Sequence, residues 1–538
     1  MMALVKSGAP ATRAVNAARL DLESLLITGG DPRLEVDPLR ALNRFGCRPW
    51  PRPEVLTFAS STASTVSYRG FAAAAAMHRQ LLQSEDEREL ENACNDQAER
   101  LRDRLRTILE LTGSGVEIVF SPSGTDSEVH ALYVAQQVLG GPVVNVIVAA
   151  DETGAGIPEA AVGRHFSSRT AQGAAVLKGE RIPGFAHDTA SLPIPLRQEG
   201  VLRSNAAIDQ EVLTAIAQSL ATGKRVVLHA MDSSKFGWRC PSLDCLREIQ
   251  ERWGRSVQVV VDACQFRLSR QRLKYYLNQG FMVLITGSKY FAGPPFSGAL
   301  LVPAAISAVM ERADTVPQGL KLYANRNDWP VRWHGVRSKL QAHPNTGQLL
   351  RWAAAMEELR AYFAVPASYR SLALRNFSSA VQKLISETPS LQLLPGYDGP
   401  GTDAIDDEEM ATRTIFPFFV RRHGKLLPVE VCNKLYRALN CDMSHLLSDP
   451  ATDEQRQIAA TLCHIGQPVK VRHPLQGAVG TLRISASAGV ASETWSATGE
   501  AASLGKLNQR LDQVGRVLAK IGLLMENLDA LSDAAAEF

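Results

Sequence analysis

The stretch MVLITGSKYFAGPPFSGALLVP, residues 282–303, places one lysine in a loop between two apolar segments. The flanking runs MVLIT (282–286) and ALLV (299–302) have the near-continuous apolar character of strands that are buried on both faces. The loop between them is rich in Gly, Ser and Pro and contains Lys289. Most single lysines lie on a solvated surface, but a flexible cation in a tight loop between buried strands needs a partner or a chemical task. Lys289 is therefore the first candidate functional residue.

Further apolar runs of strand length precede this loop, and helical segments alternate with them. This alternation is typical of βαβ units and predicts a mainly parallel, doubly wound sheet. Residues 164–205 contain Gly, Pro and Arg without clear periodicity, so we interpret them as an insertion. The additional predicted strands are VEIVF (116–120), VVNVIVA (143–149), RVVLH (225–229) and VQVVVD (257–262).

The pattern changes after residue 340. A helical stretch is followed by alternating runs such as TIFPFFVR and TLRISAS, and then by a long C-terminal helix. The predicted fold class is therefore α/β, with a large doubly wound domain over residues 85–340 and a smaller α+β domain over residues 341–538. Residues 1–84 are predicted to form an N-terminal helical extension.

The composition is that of a soluble globular protein, with 45% apolar and 21% charged residues. Lys and Arg number 58 against 55 Asp and Glu, a balance that implies neither a nucleic-acid partner nor a membrane partner. The eight cysteines form no C-x-x-C pair and no Cys/His cluster at zinc spacing, so no metal site is expected. Such cysteine usage favours a reducing cytoplasm.

The segment SPSGTDSEVHALYVAQ places Ser123, Gly124 and Thr125 between a predicted strand and a predicted helix. Free backbone N–H groups and the positive end of the helix point at the same place there, so the turn is suited to an anion. The competing interpretation is simple helix capping, because Thr125-x-x-Glu128 has the spacing of a capping box. The sequence leaves both interpretations open.

The segment VQVVVDACQF places Asp262 at the end of a buried strand and Gln265 three residues later. The carboxyl ends of the strands are where ligands bind in open α/β sheets. The alternative is an ordinary aspartate that caps the next helix. Asp262 is therefore a candidate for a binding site, although its position alone does not decide between the two.

Taken in order, these three segments resemble the class V aminotransferases and cysteine desulfurases of the fold type I family, which depend on pyridoxal phosphate (PLP). The resemblance implies that Lys289 holds PLP as a Schiff base and that Asp262 partners its pyridine nitrogen. It also implies that Gln265 contacts the phenol oxygen of PLP. The phosphate is then expected at Ser123, Gly124, Thr125 and Ser288, and Thr286 is a further expected cofactor-binding residue. At position 288 this family usually has a histidine, so the serine keeps a phosphate role and loses a proton-shuttling one.

Weaker matches extend the resemblance to other parts of the chain. Asp232 or Ser233, in RVVLHAMDSSKFGWRCPS, is expected near the cofactor. Thr346, in HPNTGQLLRWAAA, matches a residue that reaches the phosphate of a neighbouring subunit, so the resemblance implies a homodimer. Where the family stacks a ring on the cofactor, this chain reads AADETGAG. Thr153 lies there and cannot stack, so either His165 replaces the usual ring or the face is packed differently.

Two further segments concern the substrate. Arg483, in GTLRISASAG, has a planar guanidinium group suited to an α-carboxylate, although a solvated strand arginine is an equal alternative. The resemblance also predicts that FASSTAS (58–64) forms a substrate lip on the N-terminal extension. An amino acid is the expected substrate.

The resemblance leaves the reaction open. Aminotransferase chemistry is the default, because a lysine released from the cofactor is suited to proton transfer at Cα. A lyase or decarboxylase is the alternative, and a PLP-binding protein without activity is a third interpretation. Cysteine desulfuration is disfavoured because Ile465 occupies the place of the reactive cysteine, with Cys463 two residues upstream.

Overall fold

The protein is described by a computed structural model for residues 20–140, 143–186, 188–396, 405, 408–447 and 451–534. Its strands divide between two main sheets and one small ribbon. In chain order the strands are β1 (Val55–Phe58), β2 (Glu117–Ser121), β3 (Val143–Val148), β4 (Ala190–Ile194), β5 (Arg197–Gln198), β6 (Val201–Leu202), β7 (Arg225–Met231), β8 (Val257–Asp262), β9 (Met282–Thr286), β10 (Gly298–Val302), β11 (Leu391–Leu393), β12 (Ile415–Arg422), β13 (Lys425–Leu426), β14 (Leu462–His473) and β15 (Gly477–Ser485).

Helices cover the sheets and connect their strands. They are α1 (Leu22–Leu26), α2 (Tyr68–Leu81), α3 (Glu87–Ile108), α4 (Gly124–Leu139), α5 (Ile157–Ala160), α6 (Asn205–Ala221), α7 (Leu243–Trp253), α8 (Arg270–Asn278), α9 (Ala304–Met310), α10 (His334–Ser338), α11 (Thr346–Phe363), α12 (Ala367–Glu387), α13 (Glu408–Ala411), α14 (Val429–Leu439), α15 (Asp453–Ala460), α16 (Gly489–Ser492), α17 (Glu500–Glu526) and α18 (Leu528–Ala534). Within the described residues, no helix is both long and apolar enough to cross a membrane.

The larger sheet has the strand order β2-β10-β9-β8-β7-β3-β4. Strand β10 runs antiparallel to both of its neighbours, and the remaining pairs are parallel. Its central strands are buried along their whole length, as their continuous apolar sequences predict. The predicted α/β class with a mainly parallel large sheet is confirmed.

Strand β4 lies within residues 164–205, which the sequence analysis interprets as an insertion. Residues 190–194 pair in parallel with β3 and form the edge of the larger sheet. The run ASLPI is largely solvent-accessible and contains Pro193, which an edge strand tolerates because one side of its backbone makes no ladder bonds. An exposed edge strand with a proline lacks the apolar periodicity on which the prediction depended.

The second sheet has the order β1-β14-β15-β12-β11, with β13 paired to β12. Strand β1 comes from the predicted N-terminal extension and pairs in parallel with residues 462–465 of β14. The segment that precedes the large sheet therefore completes the sheet that follows it. Residues 1–19 of the predicted helical extension lie outside the described residues, and the domain boundaries at 84 and 340 stay predictions.

Helix α11 lies directly against the loop that carries Lys289. A Cβ atom added to Gly287 or Gly293 would lie 2.5 or 2.7 Å from the Cβ atom of Ala355, so only glycine allows this approach. Trp352 packs on Phe120 and donates its indole N–H to the carbonyl of Gly298 at 3.0 Å. The buried helix thus fixes both ends of the loop between β9 and β10.

The predicted long C-terminal helix is present as α17, and a buried lysine attaches it to the second sheet. Lys520 is fully buried, and its ammonium group donates to the carbonyl oxygens of Leu439, Cys441 and Thr461 at 3.1, 2.7 and 2.6 Å. Leu439 ends α14, Cys441 follows this helix and Thr461 immediately precedes β14. The lysine therefore bonds to elements that are distant from it in sequence.

We expect Lys520→Met to lower the free energy of unfolding by about 2–4 kcal/mol, because methionine keeps the apolar stem and leaves buried carbonyl oxygens without donors. Lys506→Met, on the exposed side of the same helix, is the matched control and should change it by about 0.5 kcal/mol or less. Urea denaturation of both variants and the parent measures the difference. Equal stability of the two variants would contradict this role for Lys520.

Candidate active site

Lys289 lies at the carboxyl edge of the larger sheet, three residues after β9 ends. It is half-buried, and its side-chain nitrogen has no hydrogen bond or ion pair with the described part of the chain. Ser64 donates its hydroxyl to the carbonyls of Ser288 and Gly293 at 2.6 and 2.8 Å. Ser60 donates to the carbonyl of Lys289 at 3.2 Å. The segment 58–64 therefore holds the backbone of the lysine loop and leaves the amine available.

The turn before α4 is capped by Ser123, whose hydroxyl accepts the backbone N–H of Asp126 at 3.2 Å. The capping interpretation based on Thr125 and Glu128 is therefore wrong in its details, because the helix begins at Gly124 and Thr125 lies inside its first turn. The positive N-terminal end of α4 nevertheless lies at Ser123 and Gly124, as the sequence predicts. A Cβ atom on Gly124 would lie 2.5 Å from Sγ of Cys264, so this turn contacts the loop after β8 directly.

Asp262 ends β8, and the structure gives its carboxylate two donors. The backbone N–H of Cys264 lies 3.0 Å from Oδ1, and the hydroxyl of Thr153 lies 3.1 Å from Oδ2. Thr286 donates its hydroxyl to the carbonyl of Cys264 at 2.7 Å. Asp262, the turn of Ser123 and Gly124, and the end of β9 therefore meet at Cys264.

The Cys264 thiol reports the charges around it. Burial raises its pKa well above the ordinary value, and the charge of Asp262 adds to the rise while that of Lys289 opposes it. Both charged groups are therefore close enough to Cys264 to act on the same thiol.

His165 has a partner of its own. Its Nδ1 lies 2.7 Å from the hydroxyl of Tyr323, and the two rings stack with centroids 5.9 Å apart. Thr153 instead contacts Asp262, as described above. Thr153 thus occupies the position expected for a stacking ring. This favours the interpretation that the face is packed differently over the one in which His165 replaces the ring.

Gln265 is buried, and its side-chain oxygen accepts a hydrogen bond from Arg267 at 2.8 Å. The amide nitrogen of Gln265 therefore keeps its two N–H donors for another acceptor. Arg267 also donates to Ser60 at 2.6 Å, to Thr414 at 3.0 Å and to the carbonyl of Ala486 at 3.0 Å. Sequence reasoning missed Arg267, since a lone arginine two residues after a glutamine carries no pattern.

Asp232 and Ser233 follow β7 and are both buried. The backbone N–H of Asp232 donates to the carbonyl of Asp262 at 3.0 Å, so the ends of β7 and β8 are adjacent. The carboxylate of Asp232 accepts the Tyr276 hydroxyl at 2.9 Å and lies 3.8 Å from Arg239. Asp232 is thus held by its neighbours.

A buried polar chain lies beneath the sheet edge and was not predicted. Oε2 of Glu128, on α4, lies 3.0 Å from Nδ1 of His229, and Nε2 of the same imidazole lies 2.8 Å from Oδ1 of Asn145. Burial raises the pKa of Glu128, His229 lowers it, and the charge of Asp262 raises it further. Glu128 thus contacts His229 near Asp262, and no local sequence pattern indicates this contact across α4, β3 and β7.

Arg483, on β15, is only 5% exposed. Its Nη1 donates to the carbonyl of Lys235 at 3.0 Å, and its Nη2 donates to the carbonyl of Gln467 at 3.0 Å. Burial lowers the pKa of Arg483 to about 10. The guanidinium group has five N–H donors, so these bonds leave a donor for a ligand. Arg483 therefore lies between the two sheets and is not a solvated strand arginine.

Thr346 begins α11 and is buried beside the Cys94 thiol. Its expected contact with a second subunit stays a prediction. Among the described residues, no group of three or more His, Cys, Asp and Glu side chains is arranged to hold a metal ion.

Comparison with known proteins places this geometry in a fold. No known protein family and no curated protein sequence matches the chain. Among solved structures, ureidoglycine-glyoxylate aminotransferase from Bacillus subtilis has a TM-score of 0.50 at 11% identity, covering 91% of this chain and 100% of its own.

Two further matches have lower TM-scores. A cysteine desulfurase from Escherichia coli has a TM-score of 0.48 at 14% identity, covering 86% of this chain and 95% of its own. Tryptophan decarboxylase from Catharanthus roseus has a TM-score of 0.48 at 14% identity, covering 85% and 82%. The chain thus has the architecture of the fold type I enzymes, as the sequence predicts, and identities this low show the fold alone.

The carboxyl group of Asp126 supports a prediction about pH at the turn before α4. Burial raises its pKa to about 7, the Ser123 hydroxyl opposes this rise, and the nearby charge of Asp31 adds to it. The folded protein therefore binds the proton of Asp126 more tightly than the unfolded chain does. This contribution to stability is present below pH ~4 and is lost as the pH rises through ~7.

We expect Asp126→Asn, which does not titrate, to gain about 2–4 kcal/mol of stability relative to the parent between pH ~4 and ~8. Asp512→Asn, on an exposed position of α17, is the control and should differ from the parent by about 0.5 kcal/mol or less at every pH. Urea denaturation across this pH range measures both differences. A constant difference for Asp126→Asn would show that its carboxyl group does not retain the proton.

Proposed function

We propose that the protein is a PLP-dependent enzyme that acts on an amino acid and that Lys289 binds the cofactor covalently. One observation carries the proposal. Asp262, the turn of Ser123 and Gly124, and the Thr286 end of β9 all contact Cys264, with an unpartnered lysine amine beside them. An acid at a strand end, an anion site and an available amine in one place fit the ring nitrogen, phosphate and aldehyde of PLP.

The residues present fit the cofactor group by group. The N-terminus of α4 with Ser123, Gly124 and Thr125 would bind the phosphate, together with Ser288 and Thr286. The carboxylate of Asp262, oriented by Cys264 and Thr153, would hold a proton at the pyridine nitrogen. When bound, PLP supplies an electron sink for bonds at Cα of the amino acid.

Two side chains would contact the phenol side of the cofactor. Gln265 has amide donors to offer because Arg267 occupies its oxygen. Ser233 suits a polar contact better than Asp232, since the Asp232 carboxylate already accepts from Tyr276. Lys289 would then serve as the base and acid that moves a proton at Cα.

Arg483 would hold the α-carboxylate of the substrate. It is anchored by backbone carbonyls of Lys235 and Gln467, and no described carboxylate forms an ion pair with it. A buried guanidinium group without an anionic partner is costly, so a ligand carboxylate would complete its environment.

Aminotransferase chemistry is the reaction that we propose, with bond cleavage by a lyase or decarboxylase as the alternative. Desulfuration is disfavoured because the Cys463 thiol, the candidate sulfur acceptor, is a poor nucleophile. Cys463 is fully buried, burial raises its pKa to about 11, and Ile465 occupies the usual cysteine position. A thiol of this kind is a poor nucleophile near neutral pH.

The proposed setting is a cytoplasmic homodimer, in which Thr346 would contact the cofactor of the partner subunit. Size measurement of the purified protein tests the dimer. Screening amino acids for a 2-oxo acid product, carbon dioxide or a released side-chain fragment separates an aminotransferase from a decarboxylase or a lyase. A cofactor spectrum that no amino acid changes would indicate an inactive PLP-binding protein.

We expect Lys289→Ala to abolish the near-visible absorbance band of lysine-bound PLP while the far-ultraviolet circular dichroism stays unchanged, because the lysine amine has no structural partner. Lys339→Ala, an exposed lysine at the end of α10, is the matched control and should keep the band. Both variants are reconstituted with PLP and their absorbance spectra are recorded. Persistence of the parent band in Lys289→Ala would remove Lys289 from the proposal.

A further inference from the structure

We propose that Lys235 forms a second anion site beside Arg483 and that the substrate is an acidic amino acid, whose side-chain carboxylate binds Lys235. The proposal rests on the proposed function and names its substrate class. It concerns a lysine in the loop after β7, two residues after Ser233, to which the sequence assigns no role.

The backbone of Lys235 is fixed between the two sheets. Its N–H donates to the carbonyl of Glu152 at 3.2 Å, and its own carbonyl accepts from Nη1 of Arg483 at 3.0 Å. The neighbouring residues Ser234 and Phe236 are each 1% exposed. Lys235 is thus held on the residue that is proposed to bind the α-carboxylate.

The ammonium group of Lys235 has no hydrogen bond or ion pair with any described residue, although the side chain is half-buried. The nearby carboxylate of Glu152 is already bonded to Ser234 at 2.6 Å and to Arg197 at 3.1 Å. Burial also raises the pKa of Glu152 to about 7, so this group supplies less than a full negative charge near neutral pH.

Two other cations act on Lys235. Burial lowers its pKa to about 8, the charges of Arg483 and Lys289 lower it further, and the charges of Glu152 and Asp151 oppose this fall. Among the described residues, no carboxylate forms an ion pair with Lys235, Arg483 or Lys289. In the proposed enzyme the α-carboxylate pairs with Arg483 and the cofactor takes Lys289, which leaves one positive charge without a partner.

A cavity of about 380 Å³ lies next to two residues that flank Lys235. Phe236 and Val469 form part of its lining, and its charged lining residues are Asp151, Glu152, Glu199, Arg197, Lys470 and Arg472. Glu152 and Phe236 flank Lys235 directly. The Glu152 carbonyl accepts the backbone N–H of Lys235, and Phe236 is the next residue in the chain. A short side chain that ends in a carboxylate and extends from Cα towards Lys235 would neutralise its charge.

The test compares each acidic amino acid with its neutral amide of nearly the same shape. Aspartate and asparagine, and glutamate and glutamine, are titrated into the PLP-loaded protein, and dissociation constants are read from the cofactor spectrum. The variants are Lys235→Gln, the charge-retaining Lys235→Arg, and Lys425→Gln as a matched control at an exposed position of β13. The PLP content of each variant is measured first.

We expect the parent to bind at least one acid roughly tenfold or more tightly than its amide, the range for a charge pair that loses one partner. Lys235→Gln should lose this preference, Lys235→Arg should keep most of it, and Lys425→Gln should keep all of it. An equal affinity for acid and amide in the parent would overturn the proposal. So would a preference that survives in Lys235→Gln, or a loss of PLP itself in that variant, which would assign Lys235 to the phosphate.

A second measurement separates this proposal from the proposed function. Binding of glutarate and butyrate, which lack an amine, is measured by calorimetry on the parent and on Lys235→Gln. Preference for glutarate in the parent alone supports the second anion site, even where no amino acid changes the cofactor spectrum and the proposed function fails. If amino acids change the spectrum but neither acidic side chains nor glutarate are preferred, the proposed function stands and the second site is wrong.

Discussion

The hydrogen bonds around Cys264 are the constraint on which the candidate site depends. Its backbone N–H holds the carboxylate of Asp262, and its carbonyl accepts the hydroxyl of Thr286. The turn before α4 approaches the same residue so closely that position 124 must be glycine. Because all three contacts involve one short loop, the strand-end acid, the helix N-terminus and the lysine loop take up one relative arrangement. A doubly wound sheet brings such loops to one edge, and these bonds fix their spacing.

The second sheet completes this arrangement from the other side. Arg267, in the loop after β8, donates hydrogen bonds to Ser60, Thr414 and Ala486. Ser60 follows β1, Thr414 immediately precedes β12, and Ala486 immediately follows β15. Ser60 in turn bonds to the backbone of Lys289. The lysine loop is therefore supported by the sheet that also presents Arg483, so the proposed cofactor and substrate residues are positioned together.

Local pattern predicted the parts of this structure that depend on local sequence. Strands β8 and β9 have the predicted bounds, since their apolar runs are continuous, and Asp262 and Lys289 follow from their places at the strand ends. The pairing of β1 with β14 was not predicted, because it joins segments that are distant along the chain. Three further features were missed for a related reason: Arg267, the contact of Glu128 with His229, and Lys235. Each looks like an ordinary charged residue until tertiary contacts show that it is buried or without a partner.

The central claim is that Lys289 binds the cofactor covalently, and one measurement tests it most directly. The protein is reconstituted with PLP, reduced with borohydride and digested, and the modified peptide is sequenced by mass spectrometry. Our account predicts one pyridoxyl group per chain, on Lys289. Attachment at another lysine, including Lys235, or the absence of any attachment would contradict it.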